Sequence, residues 1–241
     1  GRTNIHIAPS TAVATLRGRH PTMPGRVKSV SGLAIEHRPP EKKFFGLLNK
    51  KALRKPGKFN ITVSGGGLGL NTVDMAKSIL ANPSIKKGTV IHAVAGRGLN
   101  LKELQQLEKS TKGKAVQVRA YGFAPLRQMM GEADMNVLRP HGTSITEARS
   151  AAKPFALYLP YGKARGMDIN NARAVNKSFG IPLVNERTLG AETARIMGDY
   201  SSEVAKAKKF KTGLFGGAPE ISDIIRKTKS FTAHTPLRNR L

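Results

Sequence analysis

The chain has 241 residues, with 41 Lys or Arg against 15 Asp or Glu and a formal net charge of +26. Hydrophobic residues make up 39% of it, enough for a packed core and too many for a disordered basic tail over most of its length. Cysteine is absent, which excludes disulfides, thiol nucleophiles and Cys-based zinc or iron–sulfur sites.

No apolar run approaches the roughly 18 residues of a spanning helix, so the chain is expected to be soluble or surface-bound. His6, His20, His37, His92, His141 and His234 lie far apart, with no metal-site spacing, and no metal is expected. The basic excess is uneven. Residues 1–60 carry 13 basic and 2 acidic groups, residues 61–150 carry 12 and 6, and residues 151–241 carry 16 and 7. A field of this sign favours phosphate-rich partners, either acidic lipid or nucleic acid.

In chain order, Asn4–Ala8 reads as a short strand. Residues 37–58 are rich in Pro and Lys and read as a linker with one helical piece around Phe44–Leu53. A regular alternation starts at Asn60. Ile61–Ser64 is a β-rich run ending in Gly65-Gly66-Gly67-Leu68-Gly69. Thr72–Leu80 then shows helical spacing, with Val73, Ala76, Ile79 and Leu80 on one face. The expected strands and helices follow in turn: strand Thr89–Ala95, helix Leu101–Lys109, strand Ala115–Ala120, helix Pro125–Gly131, strand Met135–Leu138 and helix Ser144–Ala152. Strand Phe155–Leu159, helix Asn170–Ser178, strand Ile181–Val184 and one long helix over Ala191–Lys206 complete the series. Beyond Phe210, Gly213–Gly217 and a basic end read as a tail with a short helix near Ile221–Lys227. Continuous apolar strands alternating with helices predict an α/β fold, doubly wound and Rossmann-like, on a parallel six-stranded sheet.

Ligands of such sheets bind beyond the carboxyl ends of the strands. Three ends carry suitable chemistry. Ser64–Gly69 is a glycine-rich turn before a helix, able to admit an anion close to the backbone or simply to make a tight turn. It does not match the P-loop pattern, because Leu70-Asn71-Thr72 follow. Arg139-Pro140-His141-Gly142-Thr143-Ser144 offers a cation, a glycine and hydroxyls at a helix start, with Glu147 one turn inside. It reads either as a phosphate and sugar-hydroxyl site or as an ordinary cap with Thr143 or Ser144 at the N-cap. Pro160–Asn171 is a polar loop in which Asp168 and Asn171 suit hydroxyl binding, or Asp168 is itself a cap. A dinucleotide-dependent dehydrogenase is disfavoured, since Arg97 follows the second strand where an acidic residue is needed.

The set, taken in order, resembles a family. Val30-Ser31-Gly32-Leu33-Ala34-Ile35, Phe59–Gly69, Tyr121-Gly122-Phe123, Glu132-Ala133-Asp134 to Ala148, Lys153-Pro154 to Pro160 and Asn170-Asn171-Ala172 carry the likeness, over about residues 25–200. They resemble the C-terminal, donor-binding half of glycosyltransferases with the two-Rossmann-domain B-type fold. Within that family the chain resembles the monogalactosyl- and glucosyl-diacylglycerol synthases and the peptidoglycan UDP-N-acetylglucosamine transferase.

The resemblance implies residues 1–30 as the end of an acceptor domain and 31–58 as an interdomain linker. It implies 59–206 as a nucleotide-sugar-binding domain and 207–241 as a basic tail. By position, Gly66 and Gly67 lie by the diphosphate and Phe123 by the uracil. Arg139, Thr143 and Ser144 meet phosphate, Glu147 the ribose, and Asp168 and Asn171 the sugar, while His141 either donates to a phosphate or blocks the pocket. UDP-sugar is then the substrate, and neither a cofactor nor a metal is implied. Pro140-His141 departs from the small pair usual there, and Met167 stands where a polar residue is common. The general base belongs to the acceptor domain, so these residues alone are not expected to catalyse transfer.

Two functions compete. One is the donor half of an inverting transferase. It acts in the cytoplasm at an anionic membrane surface, on a lipid-linked acceptor, with an acceptor-domain subunit or segment as partner. The other is a non-catalytic protein of the same fold bound to rRNA or other RNA in an organellar, ribosome-like assembly. With four Tyr and no Trp, such RNA contacts would go to phosphate rather than to stacked bases.

Overall fold

The computed structural model describes residues 57–98, 100–164 and 166–211, together with the backbone of 6–9 and 27–30. The chain divides into two units, Gly1–Pro39 with Thr212–Leu241, and Pro40–Lys211. In the first unit, β1 (His6–Pro9) pairs in parallel with β2 (Val27–Val30), with His6 opposite Val27 and Pro9 opposite Val30. The strand expected over Asn4–Ala8 is thus present, shifted toward Pro9. The helical pieces expected near Phe44–Leu53 and Ile221–Lys227, and the Gly213–Gly217 turn, lie outside the described residues.

The second unit is an α/β layer structure. Its strands are β3 (Asn60–Ser64), β4 (Thr89–Val94), β5 (Val116–Tyr121), β6 (Met135–Leu138), β7 (Phe155–Tyr158) and β8 (Leu183–Val184). All neighbours are parallel, in the order β5-β4-β3-β6-β7-β8. This is the doubly wound order, in which the winding reverses between β3 and β6. Every residue of β3, β4, β6 and β7 is buried, as expected of strands covered on both faces, whereas β5 at the sheet edge buries only Val118.

Helices cover both faces. Three of them, α1 (Thr72–Leu80), α2 (Leu101–Thr111) and α6 (Leu189–Gly198), pack against Ile61, Val63, Val137, Ala156 and Tyr158. The others are α3 (Leu126–Glu132), α4 (Gly142–Ala151), α5 (Gly166–Phe179) and α7 (Tyr200–Lys211). These give Met130, Ala148, Ala172 and Phe210 to the second core, with Leu138, Phe155 and Leu157 from the sheet. Each fully buried Ile, Leu or Met side chain contributes about 2 kcal/mol by leaving water. Arg149 fastens α7 to this face: its guanidinium lies 4.7 Å from the Phe210 ring centroid and 5.4 Å from that of Phe179, and its Nε donates to the Phe210 carbonyl.

Several boundaries differ from expectation. The single helix expected over Ala191–Lys206 is two helices, broken at Asp199 (φ −108°, ψ 39°). Across the break Arg195 of α6 donates from Nη1 to Glu203 of α7 at 2.9 Å, and within α7 Lys206 donates to the same carboxylate at 2.7 Å. Burial raises the Glu203 carboxyl, but bonds from Lys206 and Arg195 outweigh it and leave it below the ordinary range. The last turn runs on to Lys211, because Ala207 and Phe210 still have core to cover. At α5 the start moves from Asn170 back to Gly166, and at α4 from Ser144 back to Gly142.

The turn after β3 is tight. Gly65 donates to Thr72 Oγ1 at 3.0 Å, and Gly66 to Ser64 Oγ at 3.2 Å. Arg97 N donates to the Gly67 carbonyl at 2.8 Å, tying this turn to the end of β4. Gly69 has φ +63°, and a Cβ there would lie 1.9 Å from the Ala95 oxygen, whereas nothing lies within 4 Å of one at Gly67. Gly69→Ala is therefore expected to cost about 3 kcal/mol, from clash and left-handed strain. Gly67→Ala should stay within about 0.5 kcal/mol of the native protein. Urea unfolding of the two variants side by side measures the contrast.

Candidate functional site

The end of β3 lies beside the end of β6, and β6 beside β7, with Ser64 opposite Leu138 and Leu138 opposite Leu157. The three loops singled out in the sequence therefore share one edge of the sheet, beginning at the point where the winding reverses. Gly66 and His141 meet there: Cδ2 of His141 lies 3.5 Å from where a Cβ on Gly66 would sit.

The turn after β6 is built around Pro140. His141 N donates to the Arg139 carbonyl at 2.8 Å, a bond across two residues that proline's fixed φ favours. His141 occupies the N-cap position of α4 with extended backbone and makes no side-chain capping bond. The cap expected at Thr143 or Ser144 is not formed, because the helix starts earlier and both residues fall in its first turn. Thr143 is exposed and Ser144 buried, while Thr146 Oγ1 donates back to the Gly142 carbonyl at 2.7 Å. The first N–H groups of α4 thus face the mouth without a capping side chain, a disposition that suits an anion.

Asp168 is likewise no cap. It lies inside the first turn of α5, on the same face as Asn171 three residues on. Both turn toward the Pro140 loop. Arg139 donates from Nη2 to Asp168 Oδ2 at 2.5 Å, with the two side chains 5% and 4% exposed. Asn171 Nδ2 donates to the Pro140 carbonyl at 3.0 Å. The other Asp168 oxygen lies 3.6 Å from His141 Nδ1. Arg139 Nε is buried and has no hydrogen-bond partner among the described residues. Arg139, His141, Asp168 and Asn171 are thus brought together, and they hold one another.

Glu147 is one turn into α4 and half-buried, with no side-chain hydrogen bond among the described residues. Burial pushes its carboxyl up, and Arg127 draws it part of the way back. Phe123, after β5, is 68% exposed and carries the Arg97 guanidinium 5.9 Å from its ring centroid. Arg97 was not among the sequence candidates. The available signal was its place in the loop after β4, next to the loop after β5 that carries Phe123. Met167 is 74% exposed on the first turn of α5. Glu186 accepts from Tyr161 N at 3.1 Å and from the Tyr158 hydroxyl at 3.3 Å, holding down the start of the third loop. Among the described residues there is no cluster of His, Asp or Glu that could hold a metal, and no helix long and apolar enough to cross a membrane.

This fold, with its anion-receptive loops at the reversal point, is that of the C-terminal half of two-Rossmann-domain glycosyltransferases. In sequence the chain is 29% identical over 155 residues to an enzyme of Anaplasma marginale, the UDP-N-acetylglucosamine–N-acetylmuramyl-(pentapeptide) pyrophosphoryl-undecaprenol N-acetylglucosamine transferase. The match covers 61% of this chain and 42% of that enzyme. Acinetobacter baumannii MurG superposes with a TM-score of 0.55 at 16% identity, over 84% of this chain and 57% of its own. Anabaena HepE, solved with UDP-glucose, gives 0.57 at 19% identity, over 94% and 64%. The Streptomyces nogalater glycosyltransferase SnogD gives 0.55 at 16%, over 92% and 57%. The chain therefore spans less than two thirds of each of these relatives. No protein-family model matches it.

A carboxyl raised by burial binds its proton more tightly in the folded state than in the unfolded one. Stability then falls as pH rises from the ordinary carboxylate value through the raised one, and the penalty is complete above it. Glu147→Gln is accordingly expected to raise the melting temperature at pH 7 and to leave it nearly unchanged at pH 4. Paired thermal melts at the two pH values test the sign.

Proposed function

We propose that Pro40–Lys211 is the nucleotide-sugar-binding part of an inverting glycosyltransferase, taking a UDP-sugar at the carboxyl edge of β3, β6 and β7. The observation that carries the reading is the meeting of the glycine turn with the start of α4, Gly66 against His141, at the reversal point of the sheet. The solved relatives that hold UDP-glucose or UDP support the choice of nucleotide.

In this reading Phe123 flanks the uracil, and the Glu147 carboxylate accepts bonds from the ribose hydroxyls. Gly66, Gly67 and the first-turn N–H groups at Thr143 and Ser144 face the diphosphate. Arg139, His141, Asp168 and Asn171 supply the charged floor beside it. The backbone dipoles and cations neutralise the leaving diphosphate without a metal. The acceptor and the general base belong to a further domain or subunit. The undecaprenol-linked acceptor named for the Anaplasma enzyme supports a lipid-linked one here, at an anionic membrane face.

A specific observation favours a second reading, a non-catalytic protein of this fold bound to RNA. Arg139 is engaged with Asp168 and buried, so it does not reach outward to phosphate, while 17 basic and 4 acidic groups lie outside residues 57–211. Its affinity for RNA would fall steeply with salt.

Isothermal titration with UDP separates the two. Binding with Kd below about 1 mM is expected, unchanged by EDTA and weakened roughly tenfold by Glu147→Ala. A folded protein that gives no heat at millimolar UDP, yet binds RNA with a steep salt dependence, overturns the transferase reading.

A further inference from the structure

The turn after β6 holds three charged or chargeable side chains in a fixed order. Arg139 and Asp168 are a buried pair, and the free oxygen of Asp168 faces Nδ1 of His141 at 3.6 Å. The opposite edge of the imidazole, Cδ2, faces the Gly66 turn, and the His141 side chain is 42% exposed. The ring therefore stands between the carboxylate and the glycine turn, with the edge that carries Nε2 on the turn side. For Arg139 to reach a phosphate it would have to leave a buried partner. Asp168, if it touched the diphosphate directly, would set charge against like charge.

We infer that Arg139 and Asp168 act on the diphosphate through His141. Asp168 is a positioning residue that holds the imidazole by Nδ1, Arg139 is the buried counter-ion that holds Asp168, and of these three side chains only that of His141 presents an N–H to the phosphates. The inference rests on the nucleotide-sugar reading above. The 3.6 Å contact is an ion-pair distance, longer than a hydrogen bond; a neutral imidazole has one N–H, so a ring that closes on Asp168 from Nδ1 while donating to phosphate from Nε2 is the imidazolium ion. Diphosphate binding is thereby linked to uptake of a proton, and the triad with its ligand-bound imidazolium carries one net positive charge. The groups facing the ring are Asp168 from α5, Arg139 from the end of β6, and backbone only from the glycine turn. No other ion-pair partner of His141 occurs among the described residues.

A double-mutant cycle on the full chain tests this. Uridine and UDP are titrated at pH 8, where the terminal phosphate of UDP is already ionised, in Tris and in HEPES, whose ionisation enthalpies differ. His141→Ala is expected to weaken UDP about tenfold or more and to leave uridine unchanged. It should also abolish the buffer dependence of the UDP heat. Asp168→Asn should weaken UDP similarly in the native background and less than about twofold in His141→Ala, because it acts through the residue already removed. Asp168→Glu should restore part of the loss. If Asp168→Asn does not fold, Arg139→Gln/Asp168→Asn, which removes both buried charges together, takes its place in the cycle. Costs that multiply in the double variant, a UDP heat independent of buffer, or unchanged UDP affinity in His141→Ala each overturn the inference while the nucleotide reading stands. Loss of UDP binding by the folded native chain overturns both.

Discussion

The candidate site depends on one buried ion pair. Arg139 leaves the end of β6 and Asp168 enters from the first turn of α5, and their contact fixes how the second and third loops lie against each other. Without it nothing would oblige the Pro140 turn to face α5, and the Asn171 bond to the Pro140 carbonyl would have no fixed target. Such a pair is expensive to desolvate and is weak evidence of added stability. Removing one partner leaves an uncompensated charge in a place water does not reach, whereas replacing both with apolar groups of similar volume is often tolerated. The pair also accounts for the exposure of His141, which is the member of the group left facing the mouth.

That geometry weighs differently on the two functions. A donor site uses charge that is preorganised and turned toward the ligand. Here the strongest cation is turned inward, and the outward-facing elements are helix N–H groups, a glycine turn and one imidazole. A domain that had only to keep its fold would need the buried pair and nothing beyond it. The half-buried Glu147 carboxylate is harder to explain on structural grounds. It costs stability as an ion, lacks a hydrogen-bonding partner among the described residues, and lies one turn from the N–H groups at the uncapped start of α4. A group kept at a cost beside an anion-receptive helix start supports the donor reading over the purely structural one.

Much of the second unit was legible in the sequence because its strands are short, apolar and separated by helices of clear period. Thr72–Leu80 and Met135–Leu138 are found at their expected bounds, and the parallel six-stranded sheet follows from the same alternation. The helix starts at Gly142 and Gly166 were not legible. Both begin at glycines, and local pattern favours Ser, Thr or Asp as caps, whereas the loops here are set by tertiary bonds to Pro140 and Asp168. The break at Asp199 was hidden for a related reason. Helical periodicity continues through it, and only the Arg195–Glu203 contact across the bend shows why the chain turns. At the site, the residue types were readable but their pairing was not. Arg139 and Asp168 are 29 positions apart and meet only because β6 and β7 are neighbours.

The charge is the part of the sequence that the site does not absorb. Residues 57–211 carry 24 basic and 11 acidic groups, an excess of 13, and the remaining residues carry 17 and 4, again an excess of 13. Within the first span several cations are already answered by acids: Lys77 by Glu103, Arg139 by Asp168, and Arg195 by Glu192 and Glu203. A nucleotide diphosphate sugar brings about two negative charges, far fewer than the surplus. Half of that surplus lies in the 86 residues outside the described domain, where no donor motif was read. A surplus of this size exceeds what one nucleotide could answer and suits an extended anionic surface. Membrane lipid and RNA both provide such a surface. They differ in what they ask of the domain, because only a membrane-bound transferase also needs the carboxyl edge of β3, β6 and β7 left open to a soluble donor.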